Sequence, residues 1–411
     1  MTRNNTRVAT SLSALLLLLT VFGPISMDLY LPALPALTRD LGASTSAAQL
    51  TVTACLIGLG VGQVIAGPIS DRFGRRRPLV VGIVLYVVTS AACAVSPSIA
   101  TLVVARVAQG LAGAVGIVIA QAAGRDLYEG GALIRFFGRL TVLGGLAAIV
   151  GPLIGGQLTR FTDWRGMFVF LAVIGVLLLV ATVFLFGETL PLEQRTSGGL
   201  SRALADFGEL CRIPSFLGAV LAIGFLNAAL FAYLSGATFV LQDIYGLTPQ
   251  QYSYAFGLNS LGFVIGGYVG GRTSEAWSER GTLVIGIAMT LAGSLGLLAT
   301  GIATLPVGVV IVSLLTLATG VAVATPPTTS IAMADHPDKA GTASALLGFT
   351  KFGFGGVAAP LVGLGGASTV LPLGLVTVVA SLIAGACYWS LIRPEDAPVD
   401  IPVEVPRQTV R

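Results

Sequence analysis

Apolar residues fall along this chain in twelve long blocks separated by short polar connections. The blocks run at about 12 to 34, 49 to 70, 78 to 96, 99 to 122, 135 to 158, 164 to 187, 214 to 242, 251 to 272, 281 to 301, 304 to 331, 340 to 363 and 368 to 392. A hydrocarbon core takes roughly 20 apolar residues per helix, so each block predicts one crossing. The pattern predicts an all-α membrane protein with twelve transmembrane helices. Three ionisable side chains stand well inside the blocks, Asp28, Arg106 and Lys351. A charge at such depth is costly, and a functional role is its default reading.

The segment MDLYLPALP, 27 to 35, combines one of these groups with two prolines. A proline removes the hydrogen bond to the carbonyl four residues earlier. Pro32 therefore frees the carbonyl of Asp28, as Pro24 frees that of Thr20, and the first helix is expected to bend around the carboxylate. Asp28 lies roughly 9 Å before the end of its block and Arg106 roughly 10 Å into the fourth block from the same side, at about 1.5 Å per residue. A competing reading has Asp28 end the helix near the surface and cap structure there.

Composition agrees with a membrane protein: of 411 residues, 55% are hydrophobic and 10% charged, outside the range of soluble domains. With a cytoplasmic N-terminus, 18 of the 23 basic residues fall in cytoplasmic segments, three (Arg39, Arg160, Arg165) outside and two within helices. This positive-inside pattern predicts the orientation and accounts for the net charge of +4 without nucleic acid. Arg3, Arg7 and LSALLLLLT admit a cleavable leader, but the run is too long for a typical leader core, and keeping it gives an even number of helices. Cys55, Cys93, Cys211 and Cys387 show no CxxC spacing and read as packing residues. No GxxxxGK[ST] phosphate loop and no HExxH occur, and the one histidine, His336, reads as part of a solvated turn. An ATP-driven pump and a membrane enzyme are both poorly supported.

The longest polar connection, 187 to 214, divides the chain into an N-terminal six-helix bundle (1–187), a cytoplasmic linker (188–213), a C-terminal six-helix bundle (214–393) and a cytoplasmic tail (394–411). The halves echo each other. Val64-Ile65-Ala66-Gly67 and Arg72 return 200 residues later as Val264-Ile265-Gly266-Gly267 and Arg272, and Pro152-Leu153-Ile154-Gly155 returns as Pro360-Leu361-Val362-Gly363. Their common order points to the parallel repeat of a transporter.

Between the second and third blocks lies GQVIAGPISDRFGRRRP, 62 to 78. Gly67 and Pro68 thin the helix end, Asp71 is placed to meet an arginine, and Gly74 makes a tight reversal. GPISDRFGRRRP resembles the loop signature of the major facilitator superfamily. MDLYLPALP resembles the first-span signature of its Bcr/CflA drug-resistance subfamily, RVAQGLAGAVG (106 to 116) the fourth-span motif, and GGLAAIVGPLIGGQL (144 to 158) the fifth-span antiporter motif. The similarity covers nearly the whole chain.

The resemblance implies two six-helix bundles and proton-coupled efflux of small, mostly apolar drugs of the bicyclomycin or phenicol kind. It places the first and fourth helices on the central cavity, so an Asp28–Arg106 pair is sterically reasonable. Asp28 is then the proton carrier and Arg106, which keeps its proton, the fixed charge. Asp71, Arg72, Arg75, Arg76, Arg125 and Asp126, with Gly67 and Gly74, are expected to latch the outward-facing state. Gly151, Pro152, Gly155 and Gly156 form the antiporter motif and weaken the fifth helix for contact with the opposite bundle. Tyr30, Asn227, Phe231, Asn259 and Phe352 are candidate substrate contacts, with ordinary helix packing as the competing reading of each. Lys351, where the family tends to an uncharged polar residue, is a contact for an anionic or carbonyl-bearing substrate, a titrating amine in a desolvated site, or an amine reaching a wet cavity without specific function. One acid against two bases favours neutral or weakly acidic substrates over polycations. The expected partners are protons, drug and the lipid bilayer of the bacterial cytoplasmic membrane, with no cofactor and a monomeric state. A metabolite or sugar transporter of the same fold is the alternative, and a non-transporting sensor a third reading.

Overall fold

The computed structural model describes residues 3–195, 207–333, 340–366 and 369–392. Part of the expected linker, His336 and the expected tail lie outside the described residues. Each apolar block forms a helix: α1 Arg3–Asp28, α2 Thr45–Phe73, α3 Arg76–Ala94, α4 Ile99–Leu127, α5 Gly130–Leu158, α6 Trp164–Leu185, α7 Pro214–Phe239, α8 Pro249–Ala276, α9 Glu279–Ala303, α10 Val307–Met333, α11 Ala340–Gly363 and α12 Leu371–Cys387. Among the described residues, ten spans are long and apolar enough to cross a membrane; α5 and α8, at 29 and 28 residues, complete the twelve.

Several starts are fixed by side chains that take up free backbone N–H groups. Ser44, Asp163 and Ser278 cap α2, α6 and α9, while Ser98 with Thr101 and Thr248 with Gln251 form reciprocal capping boxes on α4 and α8. The first span follows its proline arithmetic. Leu29 N–H still donates to Ile25 O at 3.0 Å, but Pro32 has no N–H for the carbonyl of Asp28. α1 ends at Asp28, a 3₁₀ turn follows over Leu31–Ala33, and a short helix, Leu34–Asp40, completes the span.

Helix contacts repeat with a shift of six. In the first half α1 packs on α4, α5 and α6, α4 on α2 and α3, and α3 on α6; in the second, α7 packs on α10, α11 and α12, α10 on α8 and α9, and α9 on α12. The two large contacts between halves, α2 with α11 and α5 with α8, exchange under the same shift. Glycine makes the tight crossings possible: a Cβ on Gly58 would collide with the backbone of Val107, and one on Gly62 would lie 2.8 Å from Leu111 O. Outward-facing Val81, Leu85, Val88, Leu177 and Phe184 are exposed, which suits lipid rather than water.

Candidate functional site

Arg106 is fully buried, yet no carboxylate among the described residues meets it. Its Nη1 donates to Ser26 O at 3.3 Å and Gln109 Oε1 at 2.5 Å, and its Nε to Thr51 O at 3.3 Å. The guanidinium lies 4.4 Å from the Tyr30 ring centroid and 5.5 Å from that of Phe168. Gln109 continues to Ser90 at 2.8 Å. One side chain of α4 thus gathers α1, α2, α3 and α6 through carbonyls and ring faces. This corrects the expected Asp28–Arg106 pair. The depth is right, because Ser26 and Tyr30 flank Asp28; but at about 100° per residue positions two before and two after face roughly away from it. Tyr30 is corrected as well: it donates or accepts with Thr51 at 2.9 Å and shields the guanidinium instead of lining a substrate cavity.

Asp28 faces the other way. It is 5% exposed, makes no hydrogen bond or ion pair among the described residues, and leaves Oδ1 buried and unsatisfied. A cavity of about 90 Å³ lies against it, walled by Leu230, Tyr233 and Leu234 of α7 and Phe256, Asn259 and Ser260 of α8. The carboxyl of the first bundle therefore meets the second. Asn259, 1% exposed, donates Nδ2 to Tyr233 Oη at 3.2 Å, and its Oδ1 is also buried and unsatisfied.

The glycines of α5 hold the Asp28 bend. A Cβ on Gly151 would lie 3.3 Å from Asp28 Cβ, and one on Gly155 would collide with Leu29 O. Gly156 makes the expected contact with the opposite bundle, where a Cβ would strike Ser253 Oγ and lie 3.0 Å from Pro249 O. Pro152 is accommodated inside α5.

Other candidates form a second group. Phe231 and Phe352 pack with tilted rings, centroids 5.9 Å apart, and Phe352 lies where α11 passes Gly60 of α2. Lys351, half-buried beside them, has no hydrogen-bond or ion-pair partner among the described residues. Asn227 donates Nδ2 to Ile223 O at 2.8 Å, a local bond within its own helix.

Polar contacts between the halves gather at the end opposite the arginine-rich loop. Thr238 Oγ1 donates to Leu31 O at 2.8 Å, Gln242 Nε2 to Pro32 O at 3.1 Å, Gln250 Nε2 to Gly156 O at 2.7 Å and Gln49 Nε2 to Ser235 O at 3.3 Å. Arg39 and Asp243 pair at 3.3 Å across the same seam. Carbonyls of the first-span turn thus receive donors from the opposite bundle, closing that end around the Asp28 cavity.

The family model of the Major Facilitator Superfamily matches residues 16–360. The chain belongs to this superfamily. As a member it is a transporter and not an enzyme. It is 37% identical over 385 residues to the uncharacterised MFS-type transporter YdgK of Bacillus subtilis, covering 93% of this chain and 96% of that one. It is 27% identical to a bicyclomycin resistance protein homolog of Haemophilus influenzae over 91% of this chain and 94% of that one. The fold matches a bacterial homolog of the human lysosomal transporter Spinster, solved inward-facing and unoccupied, with a TM-score of 0.71 at 15% identity, covering 96% and 98% of the two chains.

At the arginine-rich end, the transporter's Gly74 reverses the chain at φ +85°, and a Cβ there would strike Glu188. Arg75, 7% exposed, pairs with Asp71, with Asp126 at 3.0 Å and with Ser70 Oγ at 2.8 Å. Burial works against its charge, but the bonds to Asp126 and Asp71 outweigh this and raise its pKa. Glu188 accepts from the backbone N–H of Arg75 at 2.7 Å and of Arg76 at 3.4 Å, and pairs with Arg195 at 3.5 Å. Arg76 also donates to Val183 O at 2.9 Å.

These bonds tie the α2–α3 loop to α4 and to the chain beyond α6, all within the first half and its connection. Arg72 lies over Phe73 and Arg125 over Phe137, outside the cluster, and a Cβ on Gly67 would meet nothing within 4 Å. Sequence reasoning missed Glu188, Gln109, Phe168 and Tyr233. Glu188 carried one usable signal, a carboxylate just after a span on the basic side.

Proposed function

We propose that this transporter exports small, mostly apolar drugs in exchange for protons, by alternating access between its two bundles. The observation that carries this reading is Asp28: a buried carboxyl without a partner among the described residues, held by the bend of one bundle against a cavity walled by the other. An unsatisfied group at such a seam takes a proton or a ligand hydrogen bond, and rearranging the seam changes which is favoured. Such a group can act as the proton carrier, while Arg106 holds its helix in place.

With the arginine-rich loop on the cytoplasmic side, the closed end is the outer one. Drug then enters from the cytoplasm or inner leaflet and displaces the proton from Asp28 into the cytoplasm. Opening outward releases drug and reloads Asp28. The proton gradient supplies the drive, no cofactor is needed, and the chain acts as a monomer with both termini in the cytoplasm. Resemblance to the bicyclomycin resistance homolog supports a drug substrate. Lys351, with no acidic partner among the described residues, supports a neutral or weakly acidic one.

The test is drug-induced proton release in inverted membrane vesicles. Wild type should release protons on drug addition and Asp28→Asn should not. Unchanged release in the variant would remove Asp28 from coupling.

A further inference from the structure

We infer that Lys351 anchors an anion subsite, through which the transporter takes aromatic organic acids bound as their carboxylates. This rests on the transport reading above and adds to it the charge class of the ligand. Gly348, Lys351 and Gly355 share one face of α11, at i, i+3 and i+7. A Cβ on Gly348 would strike Gln63 Oε1 of α2, and one on Gly355 would strike the Phe231 ring of α7. Lys351 therefore leaves its helix toward the wedge between α2 and α7, on the seam of the two bundles. It lies eleven residues past Ala340, about 16 Å along the helix at about 1.5 Å per residue. No carboxylate among the described residues pairs with it. A charge at that depth is costly unless a counter-charge joins it, and a ligand carboxylate supplies one.

Neighbouring groups suit such a ligand. α7 and α11 run side by side in the same direction, since Gly224 meets Thr350, Phe231 meets Gly355 and Gly236 meets Val362. Asn227, one turn before Phe231, is thereby level with Lys351, one turn before Gly355. Its amide gives one hydrogen to Ile223 O at 2.8 Å and keeps the other, while Gln63 brings a second amide from α2. Phe231 and Phe352 offer ring faces to a flat aromatic body. The hydrogen bonds from Ser46 to Pro360 O and from Thr53 to Gly356 O join α2 to α11 on the closed side of Lys351, so a ligand arrives from the arginine-rich end. Arg72, Arg76 and Arg77 make that end positive, which draws anions toward it.

The test uses nalidixate, a flat aromatic carboxylate, and its primary carboxamide, which keeps the skeleton but carries no charge. Binding to the purified full chain in nanodiscs of zwitterionic lipid is measured by calorimetry, with empty discs subtracted, for wild type, Lys351→Gln and Lys351→Arg. Wild type should bind the carboxylate about tenfold more tightly than the carboxamide. Lys351→Gln should abolish this preference, and Lys351→Arg, which keeps the charge, should retain most of it. If the glutamine variant does not fold, Gln63→Leu serves and should narrow the gap severalfold. Equal affinities of the two compounds in wild type, an unchanged preference in the uncharged variant or in Gln63→Leu, or no binding of the carboxylate would overturn the inference. Vesicle flux separates the two readings. Carboxylate-selective binding without proton-linked efflux keeps the subsite and sinks the export reading; proton-linked efflux that accepts carboxylate and carboxamide alike does the reverse.

Discussion

Arg106 and Asp28 share one level of the first bundle and face apart. The guanidinium is held by Ser26 O, Thr51 O and Gln109 and covered by Tyr30 and Phe168, while the carboxyl meets α7 and α8 across the seam. The two charges of the family-like motifs thus have separate surroundings, one inside the first bundle and one at the cavity on the seam between the halves.

The first consequence concerns stability. Hydrogen bonds to a charged group are worth about 1.5–3 kcal/mol each, and Arg106→Ala removes several at once. Its thermal unfolding in detergent should fall well below that of wild type, with Arg106→Lys intermediate because lysine loses the planar stacking. Asp28→Asn breaks no bond seen in this conformation and should unfold near the wild-type temperature. Equal losses for Arg106→Ala and Asp28→Asn would point to a shared ion pair.

The α5 glycines offer a second comparison. Gly155→Ala drives a methyl into Leu29 O, and such overpacking typically costs about 1–3 kcal/mol. The Asp28 bend should shift, so that drug-driven proton exchange falls more than expression does. Gly67→Ala, with open space around it, should leave both intact. Exchange rates in vesicles, normalised to protein level, decide between these outcomes.

Glu188 fixes a pH expectation. Burial alone would push its carboxyl up, but backbone N–H groups of Arg75, Leu190 and Arg76, with the Arg195 charge, hold it below its ordinary value of 4.5. A depressed folded value stabilises above the unfolded pKa and is lost as pH falls through the folded one. The difference in melting temperature between wild type and Glu188→Gln should therefore stay constant from pH 5.5 to 8 and shrink only below pH 4.5. A slope inside the neutral range would show a different titrating group at this loop.

The Arg39–Asp243 pair tests the closed end. Both side chains are partly exposed, and such pairs contribute about 0.2–1 kcal/mol, so Asp243→Arg should shift the open population up to about fivefold. Thiol labelling of Ser46→Cys, in a background lacking the native cysteines, should accelerate accordingly. Adding Arg39→Asp should restore the slow rate. Acceleration that persists in the double variant would mean that charge pairing does not hold this end.

Much of the fold was legible in the chain. Bilayer thickness sets a helix length, so apolar block length gave the twelve crossings, and the missing N–H of Pro32 gave the break after Asp28. The echo of α2 in α8 and of α5 in α11 reappears as helix contacts shifted by six. The family resemblance also grouped Asp71, Arg75 and Asp126, which the structure brings together in one cluster. Arg72 and Arg125 were not distinguishable from them, because adjacent arginines differ in rotational position around a helix end and not in residue type.

By itself, then, the sequence determined what bilayer thickness and backbone chemistry impose: span number, the depth of each charge along its helix, and the bend at Pro32. Only the tertiary structure decided direction around each helix axis. Depth advances by a fixed rise per residue and can be counted, whereas a partner depends on which neighbouring helix packs against which face. Asp28 and Arg106 share a depth, but the close passage of α5 at Gly151 and Gly155 and the contact with α7 and α8 turn the carboxyl toward the second bundle, and α2 and α6 enclose the guanidinium behind it.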